Sequence, residues 1–155
     1  MLPSEEFLPM HVIGDRGHGF SHDGRKIPLH TFLHVNTLTS FQREIISLIF
    51  DIDAGPEEFS EAILKIAKHA DALKIANWKP NKVDGDAVNR PDHYERFPIE
   101  PTFFIMENQI NWCLGNVLKY LCRFPFKNGV EDLRKAQRYL GMYVRFLDRK
   151  EDWSR

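Results

Sequence analysis

Apolar residues recur at spacings of three and four through much of the chain, so the elements they predict are helices. Phe59, Ile63, Ile66, Ala70 and Leu73 form one such stripe, running to about Asn77. Gly55-Pro56-Glu57-Glu58 opens it, since Pro is tolerated in a first turn and two acids suit the positive end of a helix dipole. Ahead of it, Thr39-x-x-Gln42 has the form of a capping box and starts a strongly apolar segment, Phe41 to Ile52, expected to be a largely buried helix. Two more helices are expected further on. One, about Phe103 to Arg123, would bury Ile110, Leu114, Val117, Leu118 and Leu121; the next, about Val130 to Asp148, would bury Leu133, Ala136, Leu140, Val144 and Leu147. The short Phe124–Gly129 connection makes these two antiparallel neighbours.

Residues 1–38 read differently, as short apolar pieces such as Met10–Ile13 separated by Gly, His and Pro. In Leu29-His30-Thr31-Phe32-Leu33-His34-Val35 the alternation of polar residues predicts a strand or one arm of a partly buried hairpin. The stretch from Lys79 to Asp86 is turn-rich and is the candidate linker. The expected fold is therefore mainly α, with a small β or irregular start. A helical region of unknown role (1–78) and a linker (79–87) lead to a helical domain (88–155) that ends in an antiparallel hairpin.

Composition changes this picture little: 43% hydrophobic residues in 155 supply an ordinary globular core. The formal net charge of -1 gives no strong nucleic-acid or membrane-surface signal. Its distribution is more informative. From Val88 onward twelve Lys/Arg stand against nine Asp/Glu, or +3, which leaves -4 for the residues before. Between Lys119 and Arg138 six bases face only Glu131 and Asp132. Cys113 and Cys122, nine residues apart on one helix, lie roughly 13 Å apart and cannot pair within it. With no signal peptide, no apolar run long enough to span a bilayer and no disulfide framework, a cytoplasmic setting is expected.

The positive residues carry the candidate chemistry. Asn116, Lys119, Tyr120 and Arg123 sit at i, i+3, i+4 and i+7, on a narrow arc opposite the apolar stripe. Two cations one turn apart suit a phosphate group, through charge-assisted hydrogen bonds. The same face is equally what any solvated helix presents. Lys127 ends the hairpin loop, and Asp132, Lys135 and Tyr139 form a stripe on the partner helix. The two helices can thus direct Lys119, Arg123, Lys127 and Lys135 into one cleft, with Asp132 to orient a base or hold a metal. Because Lys119 and Arg123 lie opposite the stripe, replacing either by Ala should leave the fold intact and weaken nucleotide binding at least about tenfold. Gly115 costs helix stability and calls for close approach by another helix or by a ligand. Upstream, Pro91-Asp92-His93-Tyr94 and Ile99-Glu100-Pro101 form proline-stiffened chain in which His93 can carry a proton and Tyr94 can stack on a base. Glu100 suits either capping of the next helix or ligand contact.

Pro91-x-His93-Tyr94, Ile99-Glu100, Gly115-Asn116-x-x-Lys119-Tyr120-x-x-Arg123, Lys127 and Asp132-Leu133-x-Lys135-Ala136-x-x-Tyr139-Leu140, taken in order, resemble the tailed-phage nucleotide kinase family over about residues 88–145. The resemblance implies a deoxynucleoside monophosphate kinase of the infected host's cytoplasm. Such an enzyme moves a phosphoryl group from a nucleoside triphosphate of the ATP class to dTMP or dGMP. It assigns Lys119, Arg123, Lys127 and Lys135 as phosphate clamps, Asn116 and Asp132 as positioning groups, and His93, Tyr94 and Tyr120 as base or proton contacts. Catalysis would fall to Lys119, Arg123, Asp132 and His93. No Gly-x-x-x-x-Gly-Lys-Ser/Thr loop is present. Gly19 to Lys26 comes nearest, with Arg25 where Lys should stand, so side chains must meet the transition-state charge, with or without Mg²⁺.

Other features read more plainly. His11, His18, His22, His30 and His34 meet no established zinc spacing, and no metal site is assigned to them; the glycines around them would equally allow a loop that closes over a nucleotide. Trp78, Trp112 and Trp153 are expected in packing, and Arg149 to Arg155 as a frayed end. Tyr139, Met142, Tyr143 and Phe146 form a stripe suited to the core or to a subunit interface, and a homo-oligomer with sites near its interfaces is expected. A non-catalytic protein that sequesters a nucleotide, or an inhibitor that docks on a host protein through the hairpin, would use the same residues.

Overall fold

The computed structural model describes residues 23–82 and 96–155. Among them the regular elements are all helices: α1 (Leu29–Val35), α2 (Ser40–Phe50), α3 (Pro56–Ile75), α4 (Pro101–Glu107), α5 (Trp112–Arg123) and α6 (Val130–Leu147). The fold is mainly α, and no helix among the described residues is long and apolar enough to cross a membrane.

α6 lies between α3 and α5, packed along both. Each pairing is antiparallel. Phe59 at the start of α3 meets Tyr143 near the end of α6 with ring centroids 5.4 Å apart, while Asp71 pairs with Arg134 at the opposite ends. On the other flank Arg123 meets Asp132 and Tyr120 meets Tyr139. Leu133, Ala136 and Leu140 of α6 are fully buried, as expected from their spacing, whereas Leu147 is 37% exposed at the helix end. Residues on both sides of 79–87 belong to one core, in which Ile45, Ile46 and Ile66 are joined by Phe104, Leu118 and Leu121.

The expected boundaries of α2 and α3 are close to those observed. Thr39 Oγ1 accepts from the Gln42 N–H while Gln42 Oε1 accepts from the Thr39 N–H, so the capping box is complete. The Glu58 carboxylate accepts from the Gly55 N–H. Ile52 falls beyond the end of α2 and is exposed.

Three expectations are corrected. The segment expected as a strand, Leu29–Val35, is helix α1. Its apolar residues 29, 32 and 33 fit helical spacing as well as alternation, and seven residues are too few to separate the two periods. The Asp23 carboxylate accepts from the Leu29 N–H at 2.9 Å and anchors its first turn. The helix expected from Phe103 to Arg123 is two helices, α4 and α5, broken at residues 108–111. Gln109, at φ +53°, takes the left-handed position of a Schellman motif: its N–H donates to Met106 O and that of Ile110 to Ile105 O. Asn111 then caps α5 through the Leu114 N–H. The last residues are not frayed: they turn back so that Trp153 meets Phe146 at 5.5 Å and its carbonyl accepts from Arg145 at 3.0 Å. Asn77 and Arg149 repeat the Schellman geometry at the ends of α3 and α6.

Buried and half-buried carboxamides brace the remaining elements. Asn36, 1% exposed, donates to Ile99 O at 2.9 Å and accepts from Ile99 N–H at 3.1 Å; Asn108 does the same with Ile27, at 2.8 Å both ways. Gln42, besides capping α2, donates through Nε2 to Leu121 O at 2.8 Å, near the C-terminal end of α5. Replacing Gln42 by Glu keeps the capping oxygen but sets a carboxylate against a carbonyl. The expected cost is about 2–4 kcal/mol, read as a lower urea midpoint, because a buried acceptor loses its donor and the charge is desolvated.

His69 stacks on Phe41 at 3.8 Å and meets Phe124 edge-on at 6.2 Å, and burial pushes its pKa below the ordinary 6.5. The sign follows from linkage. Above about 6.5 neither state is protonated; below it the unfolded chain takes up a proton that the folded imidazole resists, until the folded pKa is reached. Stability should therefore fall as pH is lowered from 7.5 toward 5.5. Urea titrations should show a shallower decline in His69→Phe, which removes the titrating group and keeps the ring.

Candidate functional site

α5 is a buried helix. Cys113, Gly115, Asn116, Val117, Leu118, Leu121 and Cys122 are all buried between α2, α4 and α6. The polar arc expected opposite the apolar stripe is thus partly interior. Gly115 has a packing reason: a Cβ there would lie 3.1 Å from Ile105 Cγ2 of α4. Both cysteines are free thiols whose pKa is raised by burial, Cys122 the more strongly. Trp78 packs on Phe124 as expected, but Trp112 is 74% exposed, because the break before α5 turns its first residue outward.

The hairpin is fixed by one ion pair. Arg123 donates through Nε to Asp132 Oδ2 at 3.0 Å and through NH2 to Oδ1 at 2.9 Å, with Asp132 fully buried. The Asn128 backbone N–H adds a third bond to Oδ2 at 3.3 Å, so the same carboxylate closes the turn into α6. Asp132 therefore holds Arg123, and its carboxylate is out of reach of solvent. Asn128 was missed by sequence reasoning, although Asn two residues before a helix is a recognisable turn signal.

Around this pair the two helices assemble a cationic cluster on one aromatic ring. From the Tyr120 ring centroid, Lys119 Nζ lies at 4.5 Å, Arg123 Cζ at 4.7 Å and Lys135 Nζ at 5.8 Å. Tyr139 stacks against the same ring at 5.9 Å and 22°. Lys119 donates to the Asn116 amide oxygen at 2.8 Å, and Asn116 donates in turn to Trp112 O at 2.9 Å, so a neutral group aims the ammonium. Burial and then the Arg123 charge push the Lys119 pKa down, Asp132 acts against them, and Lys135 adds to the depression. Lys135 bonds to Glu131, which lifts the Lys135 pKa and lowers that of Glu131. Among these described residues three positive charges meet two negative ones.

Lys119, Tyr120, Arg123, Asp132, Lys135, Tyr139 and Asn116 are thus brought together. Lys127 lies in the hairpin loop, and no hydrogen bond ties it to the cluster among the described residues. Glu100 is exposed at the N-cap of α4, and its side chain makes no capping bond. Pro91, His93 and Tyr94 lie outside the described residues, as do Met10–Ile13, His11, His18 and His22. His30 and His34 sit on α1, and no group of three His, Cys, Asp or Glu that could hold a metal occurs among the described residues.

Residues 88–141 match the family described as a protein of unknown function, DUF3310. The match spans about a third of the chain, including α4, α5, the hairpin turn and most of α6. No curated protein and no solved structure matches the chain.

The ion pair changes what substitution at Arg123 should do. Arg123→Ala strands a buried carboxylate, so it should destabilise the fold by about 3–5 kcal/mol, where helical spacing alone had implied an intact fold. Lys119→Ala, which breaks a bond to a neutral amide and a contact with the Tyr120 ring but relieves repulsion from Arg123 and Lys135, should stay within about 1 kcal/mol of wild type. Denaturant midpoints of the two variants check the contrast; equal midpoints would show that the Arg123–Asp132 pair does not hold the hairpin.

Proposed function

We propose that this protein binds a nucleotide by its phosphates at the Tyr120 cluster, as part of a deoxynucleoside monophosphate kinase. The observation that carries the reading is the convergence of Lys119, Arg123 and Lys135 within 6 Å of one ring, with two carboxylates to balance them. An excess of fixed positive charge, partly withdrawn from water, is stabilised by an anion. Phosphate oxygens would draw on the donors of Lys119 and Lys135, and Arg123 would present its charge from a guanidinium already oriented by Asp132.

The chemistry asks little else of the protein. A nucleoside triphosphate and a deoxynucleoside monophosphate give two diphosphates when an acceptor phosphate oxygen attacks the γ-phosphorus and the β–γ bridging bond breaks. That acceptor has a second pKa near 6, by analogy with phosphorylated side chains, so at neutral pH it is already ionised and needs no general base. The burial of Asp132 is therefore compatible with transfer. Catalysis would rest on positioning and on charge from Lys119, Arg123 and Lys135, to which a bound Mg²⁺ would add further positive charge. Self-association belongs to the same proposal: Met106 and Trp112, 71% and 74% exposed, flank the α4–α5 turn and offer apolar surface to a second copy.

Incubation with ATP and each deoxynucleoside monophosphate, with and without Mg²⁺, followed by separation of products, should yield diphosphates. Lys119→Ala should retain the wild-type melting profile and weaken nucleotide binding by about tenfold, the loss of one charged hydrogen bond. Ligand-dependent thermal stabilisation without any diphosphate would leave a sequestering protein. Absence of both would leave the hairpin as a protein-docking surface.

A further inference from the structure

On the opposite flank of α6 from the Tyr120 cluster, a groove of about 690 Å³ separates the end of α3 from the start of α6. That size is within the range of small-molecule sites. Lys74 at the end of α3, Lys79 in the segment that follows it and Arg134 of α6 line it, together with Trp78 and Asn128. Glu131 is the acid of the lining, and its carboxylate is engaged by Lys135. Lys74 and Lys79 have no carboxylate partner among the described residues. Arg134 pairs with Asp71 at the surface, a contact that an anion can displace at little cost.

The floor of this groove is built rather than incidental. The Schellman motif at Asn77 reverses the chain so that the Trp78 N–H donates to Leu73 O at 2.9 Å, and the Asn81 N–H then donates to Pro125 O at 2.8 Å. Gly129, at φ +55°, lets this segment close on the hairpin turn: a Cβ there would lie 3.1 Å from both Trp78 and Pro80. The cations are therefore carried on chain that is fixed at both ends.

We propose that this groove binds the nucleoside monophosphate, its dianionic phosphate held by Lys74, Lys79 and Arg134 and its base beside Trp78. The inference rests on the kinase reading, to which it adds a separate acceptor site. Two ammonium groups that have no carboxylate partner among the described residues match a dianion, whereas the polyphosphate of the donor belongs at the Tyr120 cluster. Glu131, paired to Lys135 on one side and lining the groove on the other, forms the crest between the two sites and would repel phosphates that strayed toward it.

The full-length protein, its Lys79→Ala/Arg134→Ala double variant and Lys119→Ala should be titrated calorimetrically with dTMP, with dGMP and with a nonhydrolysable ATP analogue. All three substitutions are at side chains that reach solvent, and an unchanged melting profile verifies folding. The double variant should bind the monophosphates about tenfold or more weakly while holding the triphosphate analogue as wild type does, and Lys119→Ala should show the reverse. Unchanged monophosphate affinity in the double variant, with weakened binding in Lys119→Ala, would overturn the groove and leave the proposed function standing. Equal weakening of both ligand classes in the double variant would overturn a separate acceptor site. A wild-type protein that binds none of the three ligands would overturn both proposals.

Discussion

A carboxylate that water cannot reach governs the C-terminal half of this protein. Asp132 is fully buried, and such a charge persists only where fixed donors replace its hydration. Arg123 and the turn at Asn128 supply them, and each demands a particular arrangement. The bidentate pair sets the register of α5 against α6, and the Asn128 bond fixes where α6 begins. With that register set, Tyr120 must face Tyr139, and Lys119 and Lys135 must approach the same ring. A pair of this kind adds less stability than well-packed apolar residues would. Its value lies in the orientation it imposes on an otherwise flexible guanidinium.

The other half is held by neutral groups performing the same task. Short helices such as α1 and α4, each of seven residues, cannot stand alone and cannot satisfy their own ends. Asn36 and Asn108 answer this by mimicking one rung of a β-ladder against Ile99 and Ile27, and Gln42 ties α2 to α5. These bonds are long-range in sequence and buried or partly buried, so they join the residues before the 79–87 segment to those after it. The apolar core then closes over them.

This division explains what was legible beforehand. Capping and periodicity are local, and Thr39-x-x-Gln42, Gly55-Pro56 and the α6 stripe were readable because each depends on neighbours within one or two turns. The i, i+3, i+4, i+7 spacing likewise placed Lys119, Tyr120 and Arg123 along one side of a helix, and a short loop brought Lys135 and Tyr139 opposite. Spacing could not show that Asn116 is buried, since that depends on how the helices pack. Nor could it show the break at Gln109, where an ordinary side chain adopts a conformation usually left to Gly or Asn. The second role of Gln42 was hidden behind its first. Lys74 and Lys79 were read as a helix end and a linker; only the packing of Trp78 and Pro80 on Gly129 carries them to the hairpin.

The uneven charge along the sequence also acquires a spatial meaning. Glu44, Asp51, Asp53, Glu58 and Glu61 line a separate groove of about 420 Å³ between α2 and α3, with Lys65 as the base among them. The cations collect instead where α3 ends and the α5–α6 hairpin turns. Because α3 runs antiparallel to α6, its acidic beginning is as far from that turn as the helix is long, roughly 30 Å for its 20 residues. Over several Debye lengths of ordinary salt the acids cannot quench the basic end. Among the described residues, what limits the positive potential there is local, namely Asp132, Glu131 and the Asp71 that pairs with Arg134. Asp132 is committed to Arg123 inside the protein, while Glu131 is exposed on the crest of α6 and holds only a surface lysine. Glu131 and Asp71, both exposed and paired only with surface cations, are therefore the groups whose movement would most readily raise the field at the hairpin, and a phosphate bound at the proposed site would compete with Glu131 for Lys135.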